Sequence, residues 1–311
     1  MQLGAVVPLA HATGWIGQIP VGMVVLAGAA YLWVIRPTHT RAPKRSRTMF
    51  RARRQAVAFF AGLLFVLAAL SGPVERFADE LFWMHMVQHL LLLTVVAPLF
   101  VLAAPWALPL RFLQPDARRR AMAWWRGAPS TRPLRVIAAF LAVPTAAWIL
   151  FNVNLVVWHV PAAFDLTLRS RPAHDLEHLL FLGLGVLFWA QVIDSPPVRP
   201  RLGNLQRVIY VVAAATVGWA LSIALTLAPF TLYAPYGELA ARPGGLSGLS
   251  DQRLAAGIML VPGSIAFAIV AALSLARWLA EDSPRAAPDA RLTTTTHVPG
   301  PAEQEVASWG R

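Results

Sequence analysis

The sequence predicts an all-α fold, a polytopic membrane helical bundle of about seven transmembrane helices, with the N-terminus outside and the C-terminus cytoplasmic. Three observations predict it. Hydrophobic residues make up 57% of the 311 and charged residues only 14%, the balance of a chain whose solvent is lipid rather than water. The apolar residues gather into runs of about 20, the length at which a helix crosses the hydrocarbon while satisfying its own backbone groups. The basic residues crowd into alternate loops, the pattern produced when Lys and Arg are retained on the cytoplasmic side.

The elements follow in chain order. Residues 1–16 hold no Lys or Arg, so they lack the basic stretch of a cleaved signal peptide and are expected to form an outer tail before a retained helix at 17–35. The loop RPTHTRAPKRSRTMFRARR (36–54) carries eight basic residues and precedes the second span, 55–72. Arg76 is the one basic residue before the third span, 82–104, whereas segment 105–135 carries seven and leads into the fourth, 134–158. A turn with Arg169 and Arg171 joins this to the fifth span, 174–193, and three basic residues in 194–207 precede the sixth, 206–228. Arg242 and Arg253 lie before the seventh, 254–277, and four basic residues follow from Arg277 onward. Of the 27 Lys and Arg residues, 22 thus fall on one side, which fixes the expected orientation. Three regions result: the tail 1–16, a transmembrane domain 17–280, and a cytoplasmic tail 281–311, rich in Pro, Ala and Thr and expected to be disordered.

Composition also excludes functions. The net charge of +12 is accounted for by basic inner loops facing an anionic leaflet, so membrane lipid is the expected partner and nucleic acid is not. Cysteine is absent, which removes disulfides, thiolate copper sites and iron–sulfur ligation. Neither a phosphate-binding glycine loop nor a nucleophile elbow occurs, so no catalytic residue is assigned.

Five of the eight histidines converge on this topology. His85 and His89 open the third span at its outer end, His159 closes the fourth there, and His174 and His178 open the fifth. The orientation rests on Lys and Arg alone, so this coincidence is independent of it. His85/His89 and His174/His178 are both i, i+4 pairs, which stack on one helix face and can present two imidazoles to a shared point. Neutral imidazole suits Cu, Zn, Fe and Ni. Interfacial anchoring or helix packing competes with ligation, most closely for His159 beside Trp158. Ionisable groups inside spans are costly and usually functional, which favours the paired histidines as ligands.

Polar neighbours supply an expected supporting shell. Gln88 shares the face of the third span, Glu177 lies between His174 and His178, and Asn152 lies two turns deeper than His159. Glu177, Asp175 or Asp165 could orient the imidazoles by accepting from their second nitrogens. In SDQRLAAGIMLVPG, Asp251, Gln252 and Met259 could add oxygen or thioether ligands, although Met84, Met86 and Met259 are also ordinary packing residues. His11 lies in the outer tail, and His39 and His297 fall in inner segments.

HMVQHLLLLTVVAPLFVLAAPW (85–106), WHVPAAFD (158–165), HDLEHLLFLGLGVLFW (174–189) and DQRLAAGIMLVPG (251–263) together resemble the CtaG family of cytochrome c oxidase assembly factors, in its polytopic caa3-type form. The likeness runs from about residue 20 to 280. It implies a bacterial inner-membrane, multi-pass protein needed for active haem–copper oxidase, handling copper on its outer, periplasmic side. The implied partners are oxidase subunits and a periplasmic copper chaperone. The family's motif residues fall here on His85, Gln88 and His89, on His159 and Pro161, on His174 and His178, and on Asp251, Gln252 and Met259. Leu260 stands where relatives carry an aromatic after the methionine. The copper oxidation state stays open, and two rivals remain: a haem-binding membrane cytochrome, and a copper or cation permease. The inner halves TVVAPLF and LGLGVLFW carry almost no polar groups, which counts against a permease, while Pro98 and Pro144 mark expected kinks.

Overall fold

The computed structural model describes residues 19–35, 46–107, 113–195, 200–239 and 241–282. The N-terminal tail with His11, the loop with His39 and the tail with His297 lie outside the described residues. Among those described there are helices and no strand.

The first passes follow the apolar runs. Helix α1 (Ile19–Ile35) packs on α2 (Ser46–Leu70), with Tyr31 stacked on Phe59 at 4.2 Å between ring centroids. A break at Ser71 and Gly72, where Gly72 takes φ +71, re-aims the chain into the short α3 (Gly72–Ala78). That left-handed backbone is open to glycine without a steric cost. Next, α4 (Phe82–Leu90) runs through a π-helical turn (Leu91–Val96) into α5 (Ala97–Ala103). Ala104 ends α5 in left-handed backbone at φ 45 before Pro105.

The segment expected as one span at 134–158 is instead two helices. After α6 (Pro115–Gly127) and a 3₁₀ turn at Pro129–Thr131, α7 (Arg132–Leu141) and α8 (Pro144–Trp158) meet at a bend of 78°. Pro144 is the cause. It cannot continue the hydrogen bonding of α7, it holds Val143 in extended backbone (φ −77, ψ 123), and it sits comfortably in the first turn of α8.

The remaining helices are α9 (Pro161–Arg169), α10 (Arg171–Trp189), α11 (Asn204–Leu227), α12 (Ala234–Gly237), α13 (Gly248–Leu260) and α14 (Ile265–Asp282). Stretches Phe50–Ala78, Phe82–Ala107, Asn204–Leu227 and Gly248–Glu281 are long and apolar enough to cross a membrane, and the bent α7–α8 pair makes a fifth if it crosses as one. Their outward faces carry exposed Leu64, Leu102, Leu227 and Val261, as lipid-facing surfaces do.

Of the four apolar cores among the described residues, two bear on the site. Phe188 stacks on Phe151 (4.1 Å) and Tyr210 (4.8 Å) and meets Trp189 edge-on, joining α8, α10 and α11. Phe82, Met86, Phe164, Tyr233 and Tyr236 form a second core under the histidines. At the opposite end Asp194 receives Arg207 bidentately (2.9 and 3.2 Å) and Arg277 at 3.2 Å, tying the start of α11 to the end of α14.

Candidate metal centre

The site begins with where α4 starts. Asp251 of α13 accepts from the backbone N–H of Phe82 (2.9 Å) and Trp83 (3.0 Å), so a carboxylate from another helix caps the N-terminus and complements its dipole. This cap sets the depth of His85 and His89, one and two turns further on. Gln252 is also committed: its Oε1 accepts from Leu232 N–H (2.8 Å) and its Nε2 donates to the Leu225 carbonyl (3.0 Å). Both residues, expected as possible oxygen ligands, have their polar atoms engaged by backbone. Met259 packs beside the second core and lines a small apolar cavity with Thr94 and Trp219.

On α4 and α10 the two histidine pairs face each other. His85, His89, Glu177 and His178 are all buried and offer ligand atoms within 4.8 Å of one another. His85 Nε2 and His89 Nε2 are 3.0 Å apart, and the Glu177 carboxylate reaches the same atoms at 3.6 and 3.5 Å. Two nitrogens bound at ~2.0 Å to one tetrahedral ion stand ~3.3 Å apart, so these separations are those of adjacent ligands on one ion. The rings of His89 and His178 lie 5.3 Å apart, with Phe181 against His89 at 4.4 Å. His174, one turn from His178, places its ring 4.2 Å from that of His178 and 5.1 Å from that of His85.

Glu177 was expected to orient the imidazoles; the structure puts its oxygens among the ligand atoms themselves. Neither oxygen has a hydrogen-bond partner among the described residues, and both are buried. A carboxylate taken out of water costs several kcal/mol unless charge or hydrogen bonds compensate it. A cation between it and the imidazoles supplies that compensation, so the donor set fits a metal ion. Three borderline imidazoles and one hard carboxylate oxygen make a donor set that suits copper or zinc.

Tyr236 of α12, which sequence reasoning missed, fixes one tautomer. Its hydroxyl donates to the Ala78 carbonyl and lies 3.3 Å from His85 Nδ1. With its proton on Ala78 it accepts from Nδ1–H, which leaves the Nε2 lone pair aimed into the cluster. Burial pushes the phenol well above its usual range, so it stays protonated. No His or Cys lies near it in the sequence; the signal that could have found it is the tyrosine pair, Tyr233 and Tyr236, in the connection between two spans.

The other expected residues lie around this group. His159 ends α8; its Nδ1 donates to the Leu155 carbonyl (2.7 Å), its Nε2 is buried without a partner, and its own carbonyl accepts from Tyr233 (3.1 Å). Its nitrogens are outside the group of four. Asn152 donates to the Trp148 carbonyl at 2.8 Å. Gln88 donates to the Ala69 carbonyl (2.9 Å) and to Glu75 (2.6 Å), whose other oxygen takes Arg171 at 2.7 Å. Asp175 pairs with Arg171 at 2.9 Å and is half exposed, and Asp165 accepts from the backbone of Ala234, so neither orients an imidazole.

The molecule is thus an all-helical membrane protein that buries an imidazole–carboxylate cluster at one end of its bundle. It belongs to the cytochrome c oxidase caa3 assembly factor family (Caa3_CtaG), whose family model matches residues 29–281. It is similar to uncharacterized protein ML1998 of Mycobacterium leprae, 25% identical over 248 residues that cover 78% of this chain and 37% of that protein. It is also similar to uncharacterized protein Mb0105 of Mycobacterium bovis, 24% identical over 232 residues, 73% of this chain and 34% of that one. The chain spans about a third of the length of these curated relatives. No solved structure matches it.

Proposed function

We propose that this protein binds copper at His85, His89, His178 and Glu177 and delivers it to a haem–copper cytochrome c oxidase during assembly, without turnover of its own. The observation that carries the proposal is the 3.0 Å separation of the His85 and His89 Nε2 atoms with the Glu177 carboxylate on both. His174 and His159 are the next stations: buried imidazoles that allow stepwise exchange from nitrogen to nitrogen, the ligand type a copper of the oxidase also uses. Retention of the basic loops inside and an outer N-terminus support reading these residues as facing the periplasmic side of a bacterial inner membrane. Oxidase subunits are the acceptors, and a periplasmic copper chaperone is the donor.

The geometry disfavours a cytochrome. Axial nitrogens of a bis-imidazole haem stand ~4 Å apart on opposite faces of a wide ring, whereas these nitrogens lie side by side with a carboxylate between them. A permease is disfavoured by the aromatic floor of Phe181 and Phe188 beneath the cluster.

The test is metal and pigment content of the purified full-length chain, alongside oxidase activity in membranes. About one copper per chain and no Soret band are expected, with copper occupancy falling at least about tenfold in His85→Ala, His89→Ala and His178→Ala. Normal copper and normal oxidase in all of these variants and in His174→Ala would sink the proposal, and a stoichiometric Soret band would replace it with the cytochrome.

A further inference from the structure

The bend at Pro144 leaves α7 nearly perpendicular to α8 at the end of the bundle opposite the histidines. Neither α6 nor α7 buries a single residue against the rest of the protein. Both are amphipathic. In α6, Ala117, Ala121, Trp124 and Trp125 recur at i, i+4, i+7 and i+8, with Arg119 and Arg126 on the other side and Arg118 and Arg120 flanking the stripe. In α7, Leu134, Ile137 and Leu141 recur at i, i+3 and i+7, flanked by Val136 and Phe140, with Arg132 and Arg135 opposite. Leu134, Val136, Ile137 and Phe140 are each more than half exposed, a contiguous apolar face with no protein against it among the described residues.

The joint between the helices is built rather than frayed. Thr131 Oγ1 donates within the turn that accepts the ends of α6, and Arg135 Nη1 donates to the carbonyls of Trp125 (2.7 Å) and Ala128 (3.1 Å). Arg135 is thereby consumed in holding the turn, while Arg118, Arg119, Arg120, Arg126 and Arg132 face outward with Asp116 as the only acid among them.

We infer that α6 and α7 form an interfacial helical pair that docks on an anionic phospholipid surface, with arginines at the phosphates and Trp124, Leu134, Ile137 and Phe140 among the upper acyl carbons. Charge complementarity selects this occupant, since five guanidinium groups and one carboxylate beside an apolar face match the headgroup–acyl boundary of an anionic leaflet. The depth follows from α8. Fifteen residues of helix reach ~22 Å, short of the ~30 Å hydrocarbon core. The turn at Leu141–Pro144 therefore sits below the leaflet surface, and α7 leaves it sideways at acyl level with its polar edge upward. This helical pair needs no metal and stands independently of the copper proposal.

The absence of native cysteine allows a clean depth measurement. Ile137→Cys and Ala139→Cys in the full-length protein, each labelled with a nitrobenzoxadiazole probe, are reconstituted in vesicles of phosphatidylcholine and phosphatidylglycerol. Lipids brominated near the head or near the tail of the acyl chain then report depth. At position 137, head-proximal bromine should quench at least about twofold more than tail-proximal bromine, and position 139 should be little quenched by either. Removing the phosphatidylglycerol should weaken quenching at 137, and R118Q/R119Q/R120Q should abolish that dependence on lipid charge. Stronger quenching from the tail position means α7 crosses the bilayer and overturns the inference. Water-like emission at 137 also overturns it, and points to a protein partner on this face. Quenching at 137 that ignores lipid charge overturns the anionic occupant.

Discussion

At His85 the identity of the ligand atom is decided by the group behind it. Nε2 faces His89 and Glu177, and Nδ1 faces the Tyr236 hydroxyl. Outer hydrogen bonds of this kind fix ring orientation and typically change metal affinity 10- to 100-fold. Tyr236→Phe is accordingly expected to lower copper affinity by about 10-fold or more, measured by competition with a chromophoric chelator, while melting in detergent shows the fold retained. Unchanged affinity would mean that packing alone holds the ring. Glu177→Gln keeps shape and removes the negative charge, so it should weaken divalent ions more than monovalent copper, a ratio the same titration reads. The i, i+4 spacing made His85, His89, His174 and His178 legible in the sequence. Glu177 was visible as a carboxylate on the right helix, but its place among the ligands depends on how α4 and α10 face each other, which no local pattern encodes. Tyr236 reaches His85 across 151 positions, and the tyrosine pair that marks it says nothing of that partner.

Elements explain why the pairs meet at that depth. α4 begins where Asp251 caps it, α10 leans on the π-helical turn through Trp189 Nε1 on the Leu93 carbonyl (2.7 Å), and Gly185 lets the two approach. A Cβ at Gly185 would meet Ala97 Cβ and Leu93 Cδ1 at 3.1 Å. Asp251→Ala should cost about 1–2 kcal/mol of stability, the usual range for a lost cap, and should lower copper occupancy as well, because the start of α4 positions both histidines. A lower melting temperature with full copper binding would separate the cap from the site. Ala104→Gly runs the other way. A left-handed alanine carries a penalty of about 1–2 kcal/mol that glycine does not, so melting should rise. The apolar runs announced most of the helices. The kink at Pro144 was legible, but its size of 78° was not, because a proline is compatible both with a mildly kinked span and with the first turn of a new helix.

For the whole molecule, sidedness decides what the cluster can do. The crowded arginines and the histidines occupy opposite ends of the helices: Arg51, Arg53 and Arg54 open α2, and Asp194 gathers Arg207 and Arg277, while Glu75, Arg171 and the imidazole cluster share the other end. If Lys and Arg retention sets the orientation, the cluster faces the periplasm, the side that the proposed copper delivery requires. Fusions to the C-terminus test this directly. A fluorescent protein that matures only in the cytoplasm should be bright there, and alkaline phosphatase, active only outside, should be silent. The reverse pattern would bring the histidines to the cytoplasmic face, and a copper then bound by the protein would have to come from inside the cell.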